Sequence, residues 1–237
     1  MDPKIWGPYM WSIMHSYAKC SDNMVTHLLQ TNPKPQTTDL SESITNAVCT
    51  GVAFFACMCS HLPCKLCVDG FTHILYDDKP SCSITSIHTA IETATLQRWV
   101  YDVHNAVNVK NGVDSAVDFK TVLARYNLQP VSFSCTDVIN VLLMFTGGGT
   151  ITRSETRKLM STILPVLQVC IMYGDPLTHI RSDPLAKLTR LLQKKTCRTF
   201  MDVVRLWKQF YNVSESSRII APKLRERLFP VTDKPTT

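Results

Sequence analysis

The chain has 237 residues, 45% of them hydrophobic and 19% charged, with a formal net charge of +6. This is the balance of a globular chain long enough to bury a core, and it excludes disordered, collagen-like and low-complexity proteins. The charge is uneven: residues 1–112 hold seven Lys/Arg against nine Asp/Glu, and residues 113–237 hold eighteen against ten. The basic second half lacks the base-stacking aromatic pattern of a nucleic-acid binder, so it reads as a solvated surface and no nucleic-acid partner is expected.

Apolar spacing predicts a first helix from about Trp6 to Leu29, with Trp6, Met10, Ile13, Met14 and Tyr17 on one stripe and Trp11, His15 and Ala18 on its neighbour. Pro33 and Pro35 mark a loop over Asn32 to Thr38. Ser41 can cap a second helix running to Ser60, and Pro63 stops it and starts another. A loop around Pro80, Asp77 to Ser83, precedes one long helix from Thr85 to Val109, with Ile87, Ile91, Ala94 and Val103 on its apolar face and Asn111-Gly112 as its stop. The pattern stays helical beyond: Val113 to Tyr126, Thr136 to Phe145, Arg153 to Tyr173, Pro184 to Lys195, Arg198 to Asn212, and Ser216 to Leu228. Gly147-Gly148-Gly149 is a flexible break rather than a phosphate loop, because no strand precedes it and no Gly-Lys-Ser/Thr follows. The fold class is all-α. No apolar run is expected to reach membrane-spanning length, the longest candidate being Ala47 to Cys59, and Met1-Asp2-Pro3-Lys4 lacks a signal-peptide pattern. A cytoplasmic protein without a membrane partner is therefore expected. Its ten cysteines then meet a reducing compartment, where thiols are catalytic, metal-binding or simply buried.

Pro63-Cys64-Lys65-Leu66-Cys67 opens an amphipathic segment over Val68 to Tyr76. At a helix start, backbone N–H groups and the helix dipole favour a thiolate, and the two-residue gap lets the second sulfur reach the first. By itself a Cys-x-x-Cys is either a redox pair or half a zinc site. Cys57, Cys59, Cys64 and Cys67, with His61 between, give the zinc reading four thiolates. Zinc leaves two further blocks unexplained: Trp6-Gly7-x-x-x-Trp11-x-x-x-His15, and Trp99 followed by His104-Asn105-x-Val107-Asn108. Trp11 and His15 share a helical face, as do His104 and Asn108. Rings on such a face can cover a flat heterocycle, and polar groups on an apolar helix want partners rich in heteroatoms.

Taken together, the three blocks resemble the Erv/ALR-type FAD-linked sulfhydryl oxidase family, in the family's order and over about residues 5–112. The resemblance implies a helical-bundle FAD domain over 1–112, with Cys64 as the thiol that exchanges with thiol-containing client proteins and Cys67 as the sulfur nearer the flavin. It implies an FAD site lined by Gly7, Trp11, His15, Trp99, His104, Asn105, Val107, Asn108 and Lys110, and molecular oxygen as the electron acceptor, yielding hydrogen peroxide. No metal site is implied. The chain departs from the family at Tyr101, where a structural cysteine is common, at Val113, where a lysine is expected, and at Leu62, where an aromatic often precedes the proline.

Residues 113–237 form a second helical domain with traces of repetition. Cys64 to Ile74 aligns with Cys170 to Ile180 at a constant shift of 106, five of eleven residues agreeing. Tyr211-Asn212 stands near the corresponding place of His104-Asn105, and Asn140 to Phe145 near that of Met10 to His15. In this copy Tyr173 replaces Cys67, and Val141 and Phe145 replace Trp11 and His15. Such a half can hold no FAD but can pack as the other subunit of a dimer. The family's dimerisation would then be met within the chain, by a pseudo-dimer, or by a homodimer. Pairing a catalytic with a degenerate domain resembles family members from large DNA viruses, which implies disulfide formation in virion proteins within the host cytoplasm. Cys57 and Cys59, two apart on a helix, point about 200° apart and cannot pair. Cys20, Cys49, Cys82, Cys135 and Cys197 show no pairing in the sequence.

Overall fold

Helix α1, Pro3–Thr31, starts earlier than its apolar stripe because Pro3 has the fixed φ suited to a first helical residue. Pro8, further in, forfeits the bond its N–H would make to the Lys4 carbonyl. The computed structural model describes residues 3–31, 38–62, 64–78, 80–113, 117–128 and 162–173. Among them the chain is helical and has no strand, as the periodicity predicts. Both stripes of α1 are covered: Met10, Ile13, Met14, Tyr17 and Ala18 are buried, and so is His15.

Helix α2, Thr38–His61, also begins before its expected cap, so Ser41 lies inside the helix. Its stretch Glu42–Cys59 is long and apolar enough to cross a membrane by length and composition, which differs from the expectation that no run reaches that length. Ala47, Val48, Phe54, Phe55 and Met58 from this stretch are core residues. Gly51 permits a close approach: a Cβ there would stand 2.6 Å from Ile91 Cδ1 and 3.3 Å from the Tyr17 hydroxyl. Helix α3, Lys65–His73, carries the two cysteines at its start. A π turn, Ile74–Asp78, and a 3-10 turn, Pro80–Cys82, occupy much of the expected loop and bury Ile74, Leu75 and Cys82.

The expected long helix from Thr85 to Val109 is two helices, α4 (Ser86–Glu92) and α5 (Leu96–Lys110). Ala94 breaks it with φ 53°, a left-handed conformation costing about 1–2 kcal/mol in a residue with a Cβ. The compensation comes from afar. Asp22 of α1 accepts the N–H of Leu96 at 2.8 Å and of Gln97 at 3.0 Å, capping α5 across the core. Trp99 Nε1–H donates to Ser86 Oγ at 2.9 Å and so ties α5 to α4. Gly112, φ 71°, ends α5 where expected.

Helix α6 is Phe119–Leu128 rather than beginning at Val113. The Tyr101 hydroxyl donates to the Val117 carbonyl at 2.9 Å, and Arg98 lies 5.4 Å from the Tyr101 ring centre and 5.1 Å from that of Phe119. Tyr101 thus anchors the approach to α6. Helix α7, Leu164–Tyr173, lies within the expected Arg153 to Tyr173 segment and packs on α1 and α2. Cys170 sits buried in the last turn of α7, whereas its counterpart Cys64 precedes the first turn of α3, so the aligned cysteines occupy different local structures. The other expected helices of the second half, Thr136 to Phe145, Pro184 to Lys195, Arg198 to Asn212 and Ser216 to Leu228, lie outside the described residues, as do the glycine run and positions 174–180 of the repeat.

Burial raises the Asp22 carboxyl to about 6, against the pull of its two N–H donors. The folded protein therefore keeps this proton to higher pH than the unfolded chain. Between about pH 4 and 6, the stability contributed by Asp22 falls as pH rises, by up to roughly 3 kcal/mol. Asp22→Asn should remove that slope in urea unfolding measured at pH 4 to 7. Parallel profiles for the two proteins would contradict this account.

Candidate dithiol and aromatic site

Cys64 is the N-cap of α3, with extended backbone (φ −135°, ψ 119°), and its sulfur accepts the Cys67 N–H at 3.3 Å. The Val68 N–H closes the first turn on the Cys64 carbonyl at 2.9 Å. Thr72 donates its hydroxyl to the Cys59 carbonyl at 3.3 Å, fixing α3 against the end of α2. Both sulfurs are half-buried free thiols. The expectation that a helix start lowers a thiol pKa does not hold for Cys67. Burial, followed by the neighbouring Cys64 sulfur, pushes it up to about 12. The Cys67 N–H is turned to Cys64, so the helix-start donor serves the first sulfur and not the second.

One turn beyond Cys67, buried Phe71 meets Trp11 edge-on, with ring centres 6.4 Å apart at 65°. Trp11 stacks on His104 at 3.8 Å and 8°. His104 Nδ1 and His15 Nε2 are 3.1 Å apart and share a proton-donor bond whose direction follows the tautomers. His15 stacks in turn on Tyr126 of α6 at 4.6 Å and 18°. The sequence blocks on α1 and α5 thus converge, and α3 joins them through Phe71. Burial holds both imidazoles neutral. His15 is lowered to about 3, by desolvation first and then by His104 and Arg125, and His104 is lowered to about 4.

The other expected residues are placed as follows. Asn105, Val107 and Asn108 are half-buried along α5, and neither asparagine side chain makes a hydrogen bond among the described residues. A Cβ on Gly7 would meet nothing within 4 Å. Beside it, buried Trp6 Nε1 is an unpartnered donor among the described residues. Lys110 extends along α3, its ammonium 3.2 Å from where a Cβ on Gly70 would lie. Trp99 is not part of the ring stack. It is buried against Phe55 at 4.8 Å, with its indole N–H held by Ser86.

Phe71 and Tyr126 were not among the expected site residues. Phe71 was findable, since it lies four residues after Cys67 and shares its helical face. Tyr126 carries no local signal, because only the packing of α6 on α1 brings it to His15. Cys59 donates its thiol to the Phe55 carbonyl at 3.7 Å, back along its own helix. Among the described residues, no three His, Cys, Asp or Glu side chains converge as metal ligands would. The chemistry of these residues suits a planar, heteroatom-rich cofactor such as FAD: neutral stacked rings, and on the same helices two carboxamides and an indole N–H without partners among the described residues, and a lysine. Compared with protein-family models, curated proteins and solved structures, the chain matches none.

Because His15 stays neutral in the folded protein while the unfolded chain protonates below pH 6.5, its contribution to stability falls on acidification from about pH 6.5 toward 4. The loss is on the order of 3 kcal/mol at pH 4, opposite in sign to the effect of Asp22. His15→Gln keeps a hydrogen-bonding side chain and should lose less stability than the parent between pH 7 and 4 in urea unfolding. An equal loss would show that His15 is not the titrating group.

Proposed function

We propose that the protein is an FAD-dependent thiol oxidase that makes disulfide bonds in client proteins. The observation that supports this reading is the meeting of Trp11 and His15 of α1 with His104 of α5 in one aromatic cluster, which Phe71, four residues after Cys67 on the dithiol helix, touches.

Catalysis begins with the Cys64–Cys67 pair as a disulfide. A client thiolate attacks Cys64 Sγ, and Cys67 leaves. A second client thiolate then attacks the mixed disulfide, which releases the oxidised client and leaves Cys64 and Cys67 reduced. The exchange role that the resemblance implies for Cys64 is supported by its place before the helix and by the first-turn N–H it receives. Cys67 keeps its proton at neutral pH because burial and the neighbouring sulfur oppose its ionisation. A bound FAD would supply the two-electron acceptor that returns the dithiol to the disulfide, with oxygen as the final acceptor and hydrogen peroxide as the product. Trp11, His15 and His104 provide rings for its flat system, and as neutral groups the imidazoles orient by hydrogen bonds rather than by charge. Asn105 and Asn108 offer amide donors and acceptors, Lys110 a cation suited to phosphate, and Gly7 and Val107 the adjoining walls. Trp99 acts from behind, fixing α5 against α2 and α4. On this reading the clients are proteins assembled into virions in the cytoplasm, as in the viral members of the resembled family.

Cys64→Ser and Cys67→Ser should each lower oxygen consumption with dithiothreitol by about 100-fold or more, because either change removes a group that acts only as half of a pair. Thermal unfolding should stay close to that of the parent, since both sulfurs are half-buried and at a helix end. Undiminished peroxide production by both variants would refute the mechanism.

A further inference from the structure

Two cysteines outside the dithiol site meet in the core. Cys20 on α1 and Cys170 on α7 are free thiols with 0% and 2% of their surface exposed. Cys20 Sγ lies 4.0 Å from the Cys170 backbone oxygen, across 150 residues of sequence. The Cys20 sulfur also stands close enough to the Cys170 thiol to help hold its pKa above the usual range, after burial. The surrounding seam holds this register. Asn23 Nδ2–H donates to the Tyr173 carbonyl at 3.4 Å, and the His27 and Tyr173 rings stand 6.4 Å apart. Sequence spacing suggests no partner for Cys20, but packing supplies one.

We propose that Cys20 and Cys170 close during folding into a structural disulfide that staples α7 to α1. A small disulfide such as oxidised glutathione is sufficient oxidant. One cysteine thiolate attacks it and expels a glutathione thiolate, and the other attacks the resulting mixed disulfide and expels the second. Two protein S–H bonds become one S–S bond, and the two electrons leave with two glutathione thiols.

Burial decides when this happens. The attacking species is a thiolate, and the apolar surroundings push the Cys170 thiol well above its usual range. The packed sulfurs are also out of reach of an external disulfide, so closure belongs to the stage before α7 settles on α1. The same burial guards the product. A reductant must reach a sulfur with almost no exposed surface, and the bond must release a thiolate into the core. Cys64 and Cys67, half-buried at a helix start, have no such protection. The staple does not depend on the flavin reading.

The test is to refold the full chain from denaturant with reduced and oxidised glutathione, alkylate free thiols, and digest for mass spectrometry. The expected product is a peptide pair linked through Cys20 and Cys170 that survives brief native treatment with dithiothreitol, while a Cys64–Cys67 link is reduced. The linked form should also melt higher than the same chain refolded in dithiothreitol. Recovery of both Cys20 and Cys170 as alkylated thiols from the folded protein would overturn the proposal. The readout on the unmodified chain stands even if Cys20→Ser or Cys170→Ser fails to fold.

Discussion

The fixed register of α5 along α1 is the constraint on which the candidate site depends. The two helices run antiparallel: Asp22 meets the start of α5 at Leu96, and His15 and Trp11, further back along α1, meet His104 further along α5. The cap and the ring stack are eleven residues apart on α1, about 16 Å at the rise of an α-helix. Two clamps at that separation prevent sliding and rotation together. A slip of one residue would turn the Trp11 ring away from His104 by about 100°.

This register also explains why Ala94 tolerates a left-handed backbone. The break between α4 and α5 frees the Leu96 and Gln97 N–H groups, and Asp22 satisfies them within the core. A continuous helix from Thr85 would carry no free N–H groups there, and the buried carboxylate would lose its donors. Trp99 secures the same corner from the other side by reaching back to Ser86. The thiols hang from this frame through α3, whose Phe71 touches Trp11 and whose Thr72 bonds the end of α2. The position of Cys64 is thus set by the end of α2, close to it in sequence, and by α1, far from it in sequence.

Helix content was legible because apolar residues recur at helical spacing throughout the described chain, and Asn111-Gly112 stops α5 as its chemistry requires. The pairing of Trp11 with His104 was foreshadowed by two motifs that share no local reason to hold polar aromatics. The break at Ala94 was not legible. Its cause is Asp22, a charge on a distant helix whose burial no local pattern announces. Tyr126 and the contact of Cys20 with Cys170 escaped for the same reason, since both arise from the docking of later helices on α1. The helix-start argument considers charge and dipole but not desolvation, which at Cys67 outweighs them.

The central claim is that the aromatic cluster holds a flavin in electronic reach of the Cys64–Cys67 pair. Its most direct test is the visible absorption spectrum of the purified protein, recorded beside its metal content. The account predicts a yellow protein whose flavin band bleaches under dithiol without oxygen and returns in air. A colourless protein carrying stoichiometric zinc would contradict it and would make Cys64 and Cys67 metal ligands.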